Sequence, residues 1–185
     1  MKVTVIIDNA VPIGMRHPFL AEHGLSLLIE HAGGKVLLDA GQSGAAVSNL
    51  SLLGVRASEL DMLALSHGHY DHTGGLFHAL QHARKQIPVY AHQRVFEPHY
   101  SIARGQRRFI GIPHAQPLLT AQGAEWRFVD QPTEILPRLW MSGQIPRTTD
   151  YEKGDADLVT CGADGTDCKD ELQDDCSLFY AGPRG

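Results

Sequence analysis

The chain has 185 residues, 43% hydrophobic and 20% charged, with a formal charge of −5, which suits one globular domain with a real core and excludes two comfortable ones. An acidic balance without long single-sign runs argues against a nucleic-acid partner, because phosphate binding needs a basic surface. No stretch approaches the ~20 apolar residues that span a bilayer, so a membrane partner is not expected either.

Residues 2–8 read as a strand whose short apolar run ends at Asp8, which is not a signal peptide. Cys161, Cys168 and Cys176 are odd in number and lack C-x-x-C spacing, so reduced thiols in a cytoplasmic protein are expected. Residues 9–22 are irregular, punctuated by Pro12, Gly14 and Pro18. Two apolar runs, 24–31 (GLSLLIEH) and 35–40 (KVLLDA), are joined by Ala32-Gly33-Gly34, which predicts a β-hairpin. A helix is expected over 43–53, with Ala46, Val47, Leu50 and Leu53 at helical spacing and Gly54 as its stop. Residues 61–66 (DMLALS) read as a buried strand and 87–91 (IPVYA) as another. Between them a helix is expected over 74–86, with Leu76, Phe77, Leu80 and Ala83 on one stripe. Such a strand–helix–strand series places functional loops at the carboxyl ends of its strands. Beyond residue 92 the pattern thins. Residues 104–113 read as a basic loop, 125–129 and 139–141 as short apolar pieces, 150–175 as an acidic loop, and 177–181 as a strand.

Eleven histidines are the compositional outlier, and they include the densest motif in the chain, Ser66-His67-Gly68-His69-Tyr70-Asp71-His72-Thr73-Gly74-Gly75. It follows a predicted strand and precedes a predicted helix. His67 and His69, two apart in an extended turn, can face one metal. Asp71 and His72, where the chain bends into the helix, can face a second. Imidazole with carboxylate suits zinc, and also iron or manganese. A histidine-rich helix cap would account for Asp71 or Thr73, but not for three histidines at one bend.

This segment resembles the metal-binding motif of the metallo-β-lactamase superfamily. Leu37-Leu38-Asp39-Ala40-Gly41 resembles that superfamily's strand ending in Asp-Thr-Gly, with Ala40 in place of threonine. Four further pieces are similar to a narrower, dihydropterin–ribofuranosylaminobenzene phosphate synthase-like branch: Asp8-Asn9, Glu22-His23-Gly24-Leu25-Ser26, Ser142-Gly143-Gln144-Ile145-Pro146-Arg147 and Asp174-Asp175-Cys176-Ser177-Leu178. The resemblance implies an α/β fold, the metallo-β-lactamase-type αββα sandwich, as a single domain over 1–185 holding the first half and part of the second. It implies two zinc ions, with His67 and His69 on the first, and Asp71 and His72 on the second. Branch members continue with a glycine-cysteine-small-histidine motif whose histidine completes the first metal. The resemblance therefore implies a C-terminally truncated chain of weak activity, unless His92 or another chain supplies the ligand.

Other candidates rank below the motif. By resemblance Asp39 stands behind a metal-ligating histidine and holds it by hydrogen bond. His92 follows the strand 87–91 and is expected on the same edge as His67, where it would touch metal or substrate, or else bond to backbone. Glu22 and His23 either line the pocket or belong to a solvated loop. Arg147 is the best phosphate grip among Arg104, Arg107, Arg108 and itself, since a guanidinium fork suits phosphate oxygens. His78 and His82, four apart on one helix, are expected to face solvent. The function expected is a metal-dependent hydrolase-type enzyme acting on an ester or a phosphoryl or pyrophosphate small molecule, a pterin-related one included, with Asp71 catalytic. The alternative is a catalytically impaired remnant or subunit that needs a partner, either a second copy or a complementing chain. A flavin-dependent di-iron relative is disfavoured because no flavin domain is appended.

Overall fold

The computed structural model describes residues 1–152, 154–162 and 164–182. Its central layer is a six-stranded sheet. Strands β1 (Lys2–Ile7), β2 (Ser26–His31) and β3 (Gly34–Leu38) form an antiparallel meander, as the hairpin reading predicts. Beyond β3 the sheet turns parallel through β4 (Met62–Ala64), β5 (Ile87–Ala91) and a later strand at Ala124–Phe128. Parallel neighbours need crossover connections, and the chain supplies helices. α1 (Ala45–Leu52) links β3 to β4, α2 (Tyr70–Thr73) and α3 (Leu76–Ala83) link β4 to β5, and α4 (Gln116–Ala121) precedes Ala124–Phe128.

Strands buried on both faces read as continuous apolar runs, and side chains then alternate between two cores. In β3 Leu37 joins Leu28, Leu63, Leu76 and Leu80 on the helix side. Its neighbour Val36 joins Ile29, Met62 and Ala64 on the other side. That second core is closed by a three-stranded sheet that follows β6 (His99–Ser101), β7 (Arg108–Phe109) and β8 (Ala124–Phe128) in the chain and holds β9 (Thr133–Leu136), β10 (Leu139–Met141) and a final strand, Leu178–Tyr180. Its Ile135, Leu139 and Met141 pack onto Ile29, Val36 and Met62. The layers are thus helix, sheet and sheet, the α/β sandwich that the sequence led us to expect. A small third sheet joins β6 and β7 to β11 (Leu158–Cys161) and β12 (Asp167–Lys169), in the order β12-β11-β6-β7, leaving Leu178–Tyr180 as β13.

The structure corrects several local expectations. The helix expected over 74–86 stops at Ala83, because Arg84 takes the left-handed conformation at φ 54°. The basic loop 104–113 contains β7, and the acidic loop 150–175 contains β11 and β12. Residues 153 and 163 of that stretch lie outside the described residues, as do 183–185 of the expected 1–185 domain. Short strands such as β6 and β11 are held by non-local pairing, His99 with Thr160 and Tyr100 with Val159, so no apolar run marks them. Among the described residues no helix is long and apolar enough to cross a membrane.

Candidate metal centre

Asp39 lies just beyond the carboxyl end of β3 and Ser66 just beyond that of β4, two parallel neighbours, so the sheet itself brings them together. Asp39 adopts a left-handed backbone at φ 56° and is 1% exposed. Aspartate tolerates that region better than most residues, and a strained, buried carboxylate points to function. Its Oδ1 accepts the Ser66 amide at 2.8 Å, and its Oδ2 accepts the Ser66 hydroxyl at 2.7 Å and His72 Nδ1–H at 2.7 Å. Ser66 spends its only hydroxyl proton on Asp39, so its oxygen is left to accept His67 Nδ1–H at 2.9 Å. One buried carboxylate thereby fixes two tautomers, directly on His72 and through Ser66 on His67, and leaves Nε2 of each ring as a lone-pair donor. Metal-ligating histidines are oriented by the same device.

The motif's side chains converge. The ring centroids of His67 and His72 are 4.3 Å apart and those of His67 and His69 are 4.5 Å apart. Asp71 Oδ2 stands 3.8 Å from His72 Nε2. Burial first, and then the neighbouring His72 and His69, hold His67 well below its ordinary pKa, so its imidazole is neutral, and the Nδ1–H bond to Ser66 leaves the lone pair on Nε2. Burial also draws His72 down, but the Asp39 hydrogen bond and charge outweigh it and raise its pKa. Neighbouring imidazoles and a carboxylate, with the outer nitrogens of His67 and His72 already satisfied, fit a bound zinc, iron or manganese ion. Close backbone packing sets the focus. A Cβ on Gly68 would come within 2.3 Å of the Val95 carbonyl oxygen. Gly24, at φ 130°, lets the Glu22-His23 loop press against the Asp71 carbonyl.

The remaining sequence candidates fall in different places. His23 reaches the centre: its Nε2 is 3.4 Å from Asp71 Oδ2 and its Nδ1 pairs with Asn9 Oδ1 at 3.1 Å. Glu22 turns away from it, accepting the amides of Gln42 at 2.8 Å and Ser43 at 3.0 Å and the Ser43 hydroxyl at 2.6 Å, so it clamps the loop after β3. His92 is buried beyond β5 and its Nδ1 accepts the Arg94 amide at 3.3 Å, the backbone-bonded option weighed above. Arg147 pairs with Asp175 at 3.6 Å and donates to the Glu171 carbonyl at 3.3 Å. Arg107 is engaged elsewhere, with Asp167 and over the Tyr100 ring. His82 bonds back to the His78 carbonyl.

Sequence reasoning missed Ser66, His99, Asp170 and the roles of Asp174 and Asp175. The Asp174–Cys176 segment is bound to the motif, through Gly68 N–H to Asp174 Oδ2 at 2.7 Å and Cys176 N–H to the Ser66 carbonyl at 2.7 Å. Burial raises the Asp175 carboxyl, with Arg147 opposing and Asp174, Asp39 and His72 also acting on it. His69, His99 and Asp170 bring ligand atoms within 4.8 Å of one another. Asp174 and Asp175 could have been found from the branch-like motif, whereas nothing local marks His99 or Asp170.

Comparison with known proteins bears on the fold and the family. The sequence model of the metallo-beta-lactamase superfamily matches residues 21–148. An uncharacterized protein of Methanocaldococcus jannaschii is 32% identical over 181 residues, covering 97% of this chain and 66% of that protein. The 7,8-dihydropterin-6-methyl-4-(beta-D-ribofuranosyl)-aminobenzene-5'-phosphate synthase of the same organism is 32% identical over 143 residues, 71% of this chain and 47% of that enzyme. A solved metal-dependent hydrolase of the beta-lactamase superfamily superposes with a TM-score of 0.74 at 25% identity, covering 96% of this chain and 60% of that one. The chain thus spans between about half and two thirds of the length of these relatives.

Proposed function

Since this chain belongs to the metallo-beta-lactamase superfamily, we propose that it is a metal-dependent enzyme of hydrolase type, with His67, His69, Asp71 and His72 holding a zinc pair. The observation that carries this reading is the Asp39 relay. A buried carboxylate that sets the tautomers of His67 and His72 has no use in a helix cap, but it prepares two Nε2 donors for a cation. When bound, the ions supply Lewis acidity and a nucleophile at neutral pH. The chain's own residues do the rest. Asp39 and Ser66 keep the rings aimed. Asp71, shared between His72 and His23, places a carboxylate and an exposed imidazole at the mouth. Arg147, beside Asp175, offers a guanidinium to an anionic substrate.

The substrate class we favour is a phosphorylated or pyrophosphorylated small molecule, with a pterin-related one first. Support comes from the Arg147 placement and from the likeness to a pterin-related phosphate synthase. Esters are the second substrate class. The test is zinc-reconstituted chain assayed against an aryl phosphodiester, a pyrophosphate ester and a lactone, with His72→Gln as control. Turnover of a phosphoryl or pyrophosphoryl substrate that His72→Gln abolishes is expected. Turnover unaffected by His72→Gln, or by chelation, would overturn the proposal.

A further inference from the structure

Three side-chain atoms buried among the described residues lack any hydrogen-bond partner: His69 Nε2, His99 Nε2 and Asp174 Oδ1. Buried polar atoms are nearly always paired, and one left alone calls for a bound water or ion. These three belong to one cluster. The His69 and His99 rings stand edge to face at 5.0 Å, and His99 Nε2 is 3.5 Å from Asp174 Oδ2. The side chains of His99 and Asp174 are 4% and 1% exposed. They arrive from distant segments, His99 from β6 and Asp174 from the stretch before β13, so no local turn explains their meeting.

The surroundings are those of a metal site. His99 Nδ1–H donates to Asp170 Oδ2, whose other oxygen accepts the Leu172 amide at 2.8 Å. Asp170 is therefore spent as the outer carboxylate that orients a ligating imidazole, and Nε2 is the atom aimed inward. Asp174 has one oxygen on the Gly68 amide and the other free. Two ligands of one tetrahedral ion, at bonds of ~2.0–2.2 Å, stand about 3.3–3.6 Å apart; His99 Nε2 is 3.5 Å from Asp174 Oδ2, and Oδ1 of the same carboxylate is the oxygen left free to bind. An entry path exists as well: a polar pocket of about 350 Å³ is lined by His99, Asp170 and Asp174 together with Arg94 and Lys169.

We propose that His69 Nε2, His99 Nε2 and Asp174 form a further metal site for a zinc-class divalent ion, open towards this pocket and sharing only His69 with the centre described above. The ring of His69 lies 4.5 Å from that of His67 and 5.0 Å from that of His99, so with both ions bound it gives one nitrogen to each as an imidazolate, its N–H proton released to solvent. The inference goes beyond the proposed hydrolase reading and touches it only through His69.

The experiment reads zinc per chain after reconstitution and desalting, and the absorption of the cobalt-substituted chain, with folding checked by thermal melting. His67→Gln/His72→Gln is expected to keep one zinc per chain, and adding His99→Gln to remove it. Asp170→Asn, a milder change that leaves every proposed ligand in place, is expected to weaken that zinc by about 10- to 100-fold. A folded His67→Gln/His72→Gln chain that holds no zinc would overturn this site and leave the hydrolase reading standing. Zinc in that chain that His99→Gln does not remove, or that Asp170→Asn does not weaken, also overturns it, even where His99→Gln fails to fold. Unchanged stoichiometry in His67→Gln/His72→Gln, with loss on His99→Gln alone, would instead sink the first centre and support this one.

Discussion

Replacing Asp39 with asparagine preserves shape and tolerance of the left-handed backbone at φ 56°, but it removes the charge and one acceptor. Asp39 now accepts three hydrogen bonds, one on Oδ1 and two on Oδ2. An asparagine in its better flip keeps the Ser66 hydroxyl and His72 bonds, yet turns its own NH2 towards the Ser66 amide. The Ser66 N–H and the NH2 facing it are then both without an acceptor; even one such buried donor costs about 1–3 kcal/mol, and in a domain of this size each kcal/mol moves the melting temperature by roughly 2–4 °C. The metal-free chain should therefore melt roughly 2–12 °C lower. Zinc affinity should fall as well, by about 10- to 100-fold, because His72 loses the charge behind its Nδ1–H and His67, still bonded through Ser66, loses that charge at one remove. Circular-dichroism melts in chelator give the first quantity, and competition with a chromophoric chelator gives the second. A lowered melting temperature with unchanged zinc affinity would refute the relay argument, since Asp39 would then only hold the chain together.

Other outcomes follow from the same coordinates. Gly68→Ala should cost about 1–3 kcal/mol, because the new Cβ meets the Val95 carbonyl and backbone cannot step aside; urea unfolding checks it. Glu22→Gln should loosen the Gln42–Ser43 loop by about 1 kcal/mol without moving zinc stoichiometry, as Glu22 clamps backbone and does not face the histidines. His99 has its own pH signature in the metal-free chain. Burial pulls its pKa down, but the hydrogen bond to Asp170 and the nearby Asp174 carboxylate prevail and raise it from 6.5 to about 9. A raised folded pKa contributes stability that is full below 6.5 and lost as pH rises through about 9. Urea midpoints should fall across that window in the chelated parent and stay flat there in His99→Gln.

How much the sequence revealed depended on whether signals were local. The βαβ series from 61 to 91 was legible because its apolar periodicity is carried within each element, from Leu63 to Leu80 to Val89. The four motif residues were legible because they share one bend. His23 was weighed evenly against a solvated loop, and only coordinates show it beside Asp71. Ser66 was seen as a strand end, since its hydroxyl matters only once β3 and β4 are parallel neighbours. His99 and Asp170 were out of reach. They are 71 positions apart, and the small sheet that unites them is built from strands of two to four residues with hardly any apolar pattern. Arg107 shows the reverse case: a basic run reads as phosphate-binding until Asp167 and Tyr100 are found against it.

The central claim is that His67, His69, Asp71 and His72 grip cations, and anomalous diffraction from zinc-reconstituted crystals tests it most directly. Peaks at the zinc edge within bonding distance of His67 Nε2, His72 Nε2 and Asp71 are what this account predicts. Zinc-saturated crystals with ordered histidines and no peak beside the Asp39-held rings would contradict it.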